Sequence, residues 1–184
     1  GIYSIEGNGL RGLDAPQKPL DFGNSGTSIR LCSGILSAQN FQSTLVGDSS
    51  LSSRPMQRIV EPLTDMGAKI TSNNGTLPLN ISPTDSLKSI DYLLPVASAQ
   101  VKSCIMLAAL YAEGVTKIEE RAVTRDHTEN MLKQFGIPVN VENSDGKKRI
   151  SLGNINSINP TDIIICGDFS SAAFFILAAL ICPK

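Results

Sequence analysis

The sequence predicts an α+β fold made of a repeated β-α-β-α-β-β unit whose first helix is buried. Two recurrences predict it. Three apolar runs, Leu31–Ala38, Cys104–Ala112 and Phe174–Cys182, are each opened by small polar residues. The openings are Gly23-Asn24-Ser25-Gly26-Thr27-Ser28-Ile29-Arg30, Ser98-Ala99-Gln100-Val101-Lys102 and Ser170-Ser171-Ala172-Ala173. Ser25, Ser98 and Ser170 stand 73 and 72 positions apart. Between these runs a second element recurs. Arg54-Pro55-Met56 leads to Leu63–Ala68, and Arg125-Asp126-His127 leads to Leu132–Ile137, with the arginines 71 positions apart. A period of this size marks a repeated supersecondary unit.

Ile2–Ile5 alternates apolar and polar and reads as a strand. Gly7–Lys18 is a loop with glycines and a proline. Thr27–Ala38 is the first buried helix and Gln42–Val46 a strand. Gly47–Ser53 is serine-rich and reads as an exposed loop. Pro55 suits a first helical turn, and Met56, Ile59, Val60, Leu63 and Met66 form a stripe at helical spacing. Pro62 is expected to kink or shorten that helix, and Gly67 to stop it. Ala68–Ile70 and Leu77–Ile81 read as strands around an Asn73-Asn74-Gly75 turn. The second unit repeats the order. Asp91–Pro95 is a strand, Ala99–Ala112 the second buried helix and Val115–Glu119 a strand. A helix capped by Thr124 turns Thr128, Met131, Leu132 and Phe135 inward and stops at Gly136. Val139–Val141 and Arg149–Leu152 form a hairpin around Ser144-Asp145-Gly146. Ile163–Ile165 is the next strand, followed by the third buried helix.

The 184 residues carry a net charge of −1, 41% hydrophobic and 18% charged residues. That balance fits a globular protein and offers no basic surface for nucleic acid or membrane. Trp is absent and aromatics are few, which argues against a base-stacking platform. Cys32, Cys104, Cys166 and Cys182 are far apart, and they read as reduced, mostly buried thiols of a cytoplasmic protein. With one histidine, His127, no metal site is expected, and no cofactor is implied. The longest apolar stretch, Ala172–Cys182, is too short to span a bilayer. Both ends read as interior to a longer protein.

Chemistry concentrates at the helix starts. Glycine lets another group approach the backbone, and a helix N-terminus presents free N–H groups and a positive dipole end. Arg30 adds charge one turn in. Arg54 and Arg125 start the second helices of their units, where a guanidinium can grip phosphate or carboxylate through two hydrogen bonds. Ser98 and Gln100 bracket the second buried-helix start. Lys102 reads as a solvated or locally paired side chain, and Glu61, Asp65, Glu119 and Glu120 as solvated charges. His127 reads as a surface residue. Gly23–Thr27 lacks the lysine of a P-loop, and no G-x-S-x-G elbow occurs. The residues alone therefore point to a small anion with several phosphate or carboxylate groups, without fixing a reaction.

Five segments together resemble the 5-enolpyruvylshikimate-3-phosphate (EPSP) synthase family. They are Gly23–Leu31, Gly47-Asp48 through Arg54-Pro55-Met56, Ala97–Ser103, Thr124–Glu129 and Gly167–Phe174. The resemblance implies a two-lobed enolpyruvyl transferase fold of three units per lobe. Residues 1–165 would be two units of the first lobe, and 166–184 the start of the second lobe with the third buried helix. It implies transfer of the enolpyruvyl group of phosphoenolpyruvate to the 5-hydroxyl of shikimate 3-phosphate, with glyphosate as the family's phosphoenolpyruvate-competitive inhibitor and Gly26 as the residue expected to set sensitivity to it. Gly26, Arg54 and Gln100 match phosphoenolpyruvate contacts. Ser98, Ala99, Gln100 and Arg125 match shikimate 3-phosphate contacts, Ala99 only through its backbone. Asn24, Thr27 and Arg30 match supports of the glycine turn. The family's lysine and acidic acid/base residues fall outside this sequence, so no catalytic residue is expected within it. The full-length enzyme is expected to be a monomer. In the isolated segment, the third helix is expected to dock on its own chain's open core or on a second copy.

Two other readings fit parts of the pattern. A sister family transfers enolpyruvyl to UDP-N-acetylglucosamine, but its members carry a reactive cysteine in the loop matching Gly47–Ser53, which has none. A non-catalytic anion-binding scaffold would need only the repeats and the helix starts.

Overall fold

The computed structural model describes residues 2–182 apart from Asp145 and Cys166. In chain order, β1 is Leu20–Asp21, α1 Gly26–Leu36, β2 Ser43–Val46, α2 Ser49–Ser52, α3 Gln57–Asp65, β3 Lys69–Asn73 and β4 Thr76–Ser82. A short strand β5, Leu87–Lys88, leads to β6 Asp91–Leu93, α4 Ala99–Ala109, β7 Ala112–Glu113, β8 Val115–Glu120, α5 His127–Gln134, β9 Asn140–Ser144 and β10 Lys147–Gly153. Last comes α6, Phe169–Ile181. The fold is mixed α+β. One sheet runs β1-β2-β4-β3 and another β6-β8-β10-β9. In each, the first pair is parallel and the remaining pairs antiparallel. β5 and β7 form a separate parallel pair.

The turns follow from backbone chemistry. Asn74 and Gly75 sit at φ 50° and 80° between β3 and β4, the left-handed pair that a two-residue hairpin requires. Gly67 ends α3 at φ 92° and Gly136 follows α5 at φ 78°, as left-handed helix caps do. Ser25 accepts from the Ser28 N–H at 3.2 Å, and Ser98 from the Val101 N–H at 3.4 Å. These are side-chain N-caps that satisfy otherwise orphaned donors.

The core runs through both sheets and centres on α4, in which every residue from Val101 to Ala109 is buried. α1 packs against α4. Gly34 makes that approach possible, because a Cβ on it would stand 2.3 Å from the Cys104 carbonyl oxygen.

Several expectations are corrected. Ile2–Ile5 and Ile163–Ile165 form no strand, and Ile2, Tyr3, Ile5, Ile164 and Ile165 lie exposed. Alternation makes a strand only where a partner edge completes the ladder, and in the first unit Leu20–Asp21 takes that edge. Gly47–Ser53 holds a helical turn, not an open loop. Asp48 accepts from the Leu51 N–H at 2.7 Å, and Leu51 is fully buried. Pro55 lies before α3, and Pro62 sits inside it. Arg58, whose carbonyl loses its helical donor, is exposed to water. Asp126, not Thr124, occupies the N-cap position of α5, and Met131 is exposed there.

Glu120 is buried rather than solvated, and Lys102, expected to be solvated or paired, is buried and paired. The Lys102 Nζ lies 2.7 Å from Glu129 Oε1 and 3.2 Å from Glu120 Oε1, because a charge is buried only with compensating partners. Glu119 instead pairs at the surface with Lys147 and Arg149.

The third helix is the largest correction. α6 forms where expected, but none of its residues is buried, and Phe174 is 81% exposed. It neither joins the core nor docks on the chain's open side. A helix apolar all round needs neighbours on every side, and among the described residues none of the side chains of α6 is buried. Cys104 is buried, Cys32 half-buried and Cys182 exposed, while Cys166 lies outside the described residues.

Candidate functional site

The starts of α1 and α4 meet through side chains seventy-odd residues apart. Thr27 Oγ1 accepts from Gln100 Nε2 at 2.8 Å, and Arg30 Nη1 donates to Gln100 Oε1 at 3.0 Å. Arg30 also donates to its own helix, at Gly26 O (3.1 Å), and to Pro55 O at 3.1 Å. One guanidinium thus ties α1, α4 and the segment that leads into α3.

Arg54 approaches from the other side. It follows α2, and its Nη2 donates to Asn24 Oδ1 and, at 3.5 Å, to Ser50 Oγ. Asn24 Nδ2 in turn donates to Asp48 Oδ2 at 2.8 Å. Asp48 is held below the usual carboxylate range, chiefly by the Leu51 N–H, with further help from the Asn24 amide and the Arg54 charge. It therefore stays ionised and anchors the cap.

Gly26 lies between the two arginines. A Cβ there would stand 2.8 Å from Arg30 Nη1, 3.0 Å from Arg54 Nη1 and 3.7 Å from Leu51 Cδ1. The missing side chain is what lets both guanidiniums close on the first turn of α1. Burial lowers the pKa of Arg30, and the charges of Arg54 and Arg58 lower it further. Guanidinium nonetheless remains charged at neutral pH. Among the described residues neither Arg30 nor Arg54 makes a salt bridge. Two cations and a helix N-terminus therefore converge, with no internal carboxylate among the described residues bound to either cation. Such a constellation favours an incoming anion.

The structure thus gathers Asn24, Gly26, Thr27, Arg30, Arg54 and Gln100 into one hydrogen-bonded cluster. Ser98 and Ala99 stand beside it at the start of α4. Arg125 is exposed on the connector between β8 and α5, and no hydrogen bond ties it to the cluster among the described residues. His127 is exposed, as expected. Two supports escape a reading of the sequence for charge, namely the Asp48 cap and the Pro55 carbonyl. The run Asp48-Ser49-Ser50-Leu51 carried a signal for the first, since aspartate before an apolar-anchored turn is an N-cap pattern.

The sequence profile of the EPSP synthase (3-phosphoshikimate 1-carboxyvinyltransferase) family matches residues 3–184. The 3-phosphoshikimate 1-carboxyvinyltransferase of Ruthia magnifica is 58% identical over 98% of this chain and 41% of its own length. That of Hydrogenovibrio crunogenus is 52% identical over 100% of this chain and 42% of its own. The structure superimposes on EPSP synthase from Acinetobacter baumannii with a TM-score of 0.85 at 51% identity, over 95% of this chain and 39% of that one. The chain therefore spans about two fifths of the length of the relatives it matches. With the profile running over nearly the whole chain, and identity above one half on a shared fold, the chain belongs to the EPSP synthase (3-phosphoshikimate 1-carboxyvinyltransferase) family.

Proposed function

We propose that the protein containing this segment transfers the enolpyruvyl group of phosphoenolpyruvate to the 5-hydroxyl of shikimate 3-phosphate. The hydroxyl oxygen adds to C2 of the enol phosphate, giving up its proton to a base, while C3 takes a proton, so that a tetrahedral intermediate still carries the phosphate. Loss of that proton and of inorganic phosphate then restores the double bond. The observation that carries the reading is Gly26, closed between Arg30 and Arg54 and linked through Gln100 to the second helix start. Phosphoenolpyruvate presents a phosphate and a carboxylate on a small frame. Arg54, with Nη1 uncommitted among the described residues, and the Gly26 backbone suit that doubly anionic molecule. Arg30 is committed to Gln100, Gly26 and Pro55 and holds the turn, together with Asn24 and Thr27.

Gln100 touches both substrates in this reading. Ser98, the Ala99 backbone and Arg125 receive shikimate 3-phosphate. Acid/base groups come from outside the chain, so the segment binds and orients and carries no complete active site. The two four-stranded sheets with their helices are two of three units of a first lobe, and α6 opens the second lobe. No helix of the described residues is long and apolar enough to cross a membrane. Independently of that, the proposed full-length enzyme is a monomer of the cytoplasm.

The test is phosphate release by the full-length protein given both substrates, with Arg54→Ala alongside. Removing a charge-assisted hydrogen bond costs roughly 1.5–3 kcal/mol. The variant is therefore expected to raise KM for phosphoenolpyruvate at least about tenfold with its melting temperature kept. No phosphate release by the parent protein, or a large melting shift with unchanged kinetics, would overturn the reading.

A further inference from the structure

Four charged side chains are buried together behind the start of α4. Lys102 is fully buried, and its Nζ donates to Glu129 Oε1 at 2.7 Å and to Glu120 Oε2 at 3.3 Å. Lys148 Nζ donates to the same Glu129 oxygen at 3.0 Å and lies 3.9 Å from Glu120 Oε2. Two ammoniums and two carboxylates balance in charge. Burying such a set costs desolvation, and apolar residues of the same volume often stabilise a fold as well or better. Its value here is geometric, and the chain shows what it fixes.

Lys102 stands two residues past Gln100 in the first turn of α4. Glu120 is the last residue of β8, and Glu129 lies in the first turn of α5. The connector between them, residues 121–126, carries Arg125. Both ends of the Arg125 connector are therefore held by one ammonium, and that ammonium belongs to the helix that presents Ser98, Ala99 and Gln100. From within the connector, Thr124 donates its hydroxyl to Glu120 Oε1. Ser103 Oγ and Thr128 Oγ1, 2.7 Å apart, add a second tie between α4 and α5.

We propose that Lys102 is a positioning residue for Arg125, fixing the arginine's connector against the α4 start so that Arg125 and Ser98-Ala99-Gln100 grip one phosphorylated substrate. Lys102 itself touches no substrate. The proposal rests on the reading that Arg125 binds shikimate 3-phosphate.

The experiment is a double-mutant cycle in the full-length protein, with KM measured separately for each substrate. Arg125→Ala is expected to raise KM for shikimate 3-phosphate about tenfold or more. Lys102→Met is expected to raise the same KM about tenfold while changing that for phosphoenolpyruvate less than about twofold. The double variant is expected to be no worse than Arg125→Ala alone. Equal rises in both Michaelis constants, or multiplying effects in the double variant, would overturn the positioning role. A KM for shikimate 3-phosphate unmoved by Arg125→Ala would instead overturn the reading of Arg125 itself. Should Lys102→Met fail to fold, Thr124→Val keeps the test, since it leaves all four charges in place and frees only the connector. It is expected to raise KM for shikimate 3-phosphate about threefold and leave that for phosphoenolpyruvate alone, and an unchanged value would sink the proposal.

Discussion

Adding one methyl at Gly26 separates the demands of the fold from those of the site. Gly26 is the first residue of α1 and does not have a positive φ, so Ala fits its backbone. Replacing a helical glycine by Ala is worth up to about 0.5–1 kcal/mol in favour of folding. The site responds differently. The new Cβ would stand 2.8 Å from Arg30 Nη1 and 3.0 Å from Arg54 Nη1. Arg30 is anchored to Gln100 Oε1 and Pro55 O, and Arg54 is anchored to Asn24, so both must give by some tenths of an ångström. A charge-assisted hydrogen bond lost outright costs roughly 1.5–3 kcal/mol. One that is displaced but kept loses less, about 1 kcal/mol, or about fivefold in affinity. Gly26→Ala should therefore raise KM for phosphoenolpyruvate about fivefold and leave the melting temperature within a few degrees. Glyphosate, which the family resemblance implies as a competitor of phosphoenolpyruvate, is the longer molecule, so in the proposed site the methyl should crowd it more. Its inhibition constant should rise by about an order of magnitude beyond the KM change. Steady-state phosphate release with and without glyphosate, and a thermal melt, decide the matter. Equal rises in both constants would refute the steric argument, and a collapse of the melt would show that Gly26 serves the fold.

Three further outcomes follow from other parts of the structure. Gly34→Ala places a Cβ 2.3 Å from the Cys104 carbonyl oxygen, and that backbone cannot swing aside. Forced separation of α1 from α4 should cost about 1–3 kcal/mol, and a denaturant midpoint equal to the parent's would contradict it. Burial pushes the Glu129 carboxyl up, but hydrogen bonds from Lys102, its own backbone and Lys148 outweigh this and hold it below its ordinary value of 4.5. A folded pKa below the unfolded one adds stability above about pH 4.5 that is lost as pH falls through the folded value. Urea unfolding across that acid range should fall more steeply for the parent than for Glu129→Gln, and parallel curves would count against the pairing. Finally, Phe174, Phe175 and Leu180 are 81%, 79% and 78% exposed on α6, and each large side chain left in water forgoes roughly 1.5–3 kcal/mol. The isolated 184-residue chain should therefore self-associate through α6. Deleting Gly167–Lys184 should yield monomers with an unchanged unfolding midpoint, and sedimentation showing the same oligomeric state for both would refute this.

The sequence by itself determined the features governed by a few neighbouring residues. Ser25 and Ser98 cap their helices because a hydroxyl beside a helix start finds the N–H three residues on. Gly67 and Gly136 stop theirs, and Asn74-Gly75 turns a hairpin, because these positions need left-handed backbone. The stripe from Met56 to Met66 gave α3 its buried face through spacing alone, despite Pro62. The candidate anion site was legible as its separate parts, Gly26, Arg54 and Gln100, because charge and missing bulk are written residue by residue. Their convergence was not. Thr27 and Arg30 reach Gln100 only because α1 packs on α4 at Gly34, a long-range contact with no local trace in the sequence. For the same reason Glu120 looked like an ordinary solvated charge, and Lys102 could be read as either solvated or paired. Whether a charge is buried depends on which partner, 18 or 27 residues away, the fold brings within 3 Å or so. Conversely, the apolar run of α6 promised burial that tertiary structure withholds. Hydrophobic sequence creates the demand for burial, but only neighbouring elements can meet it.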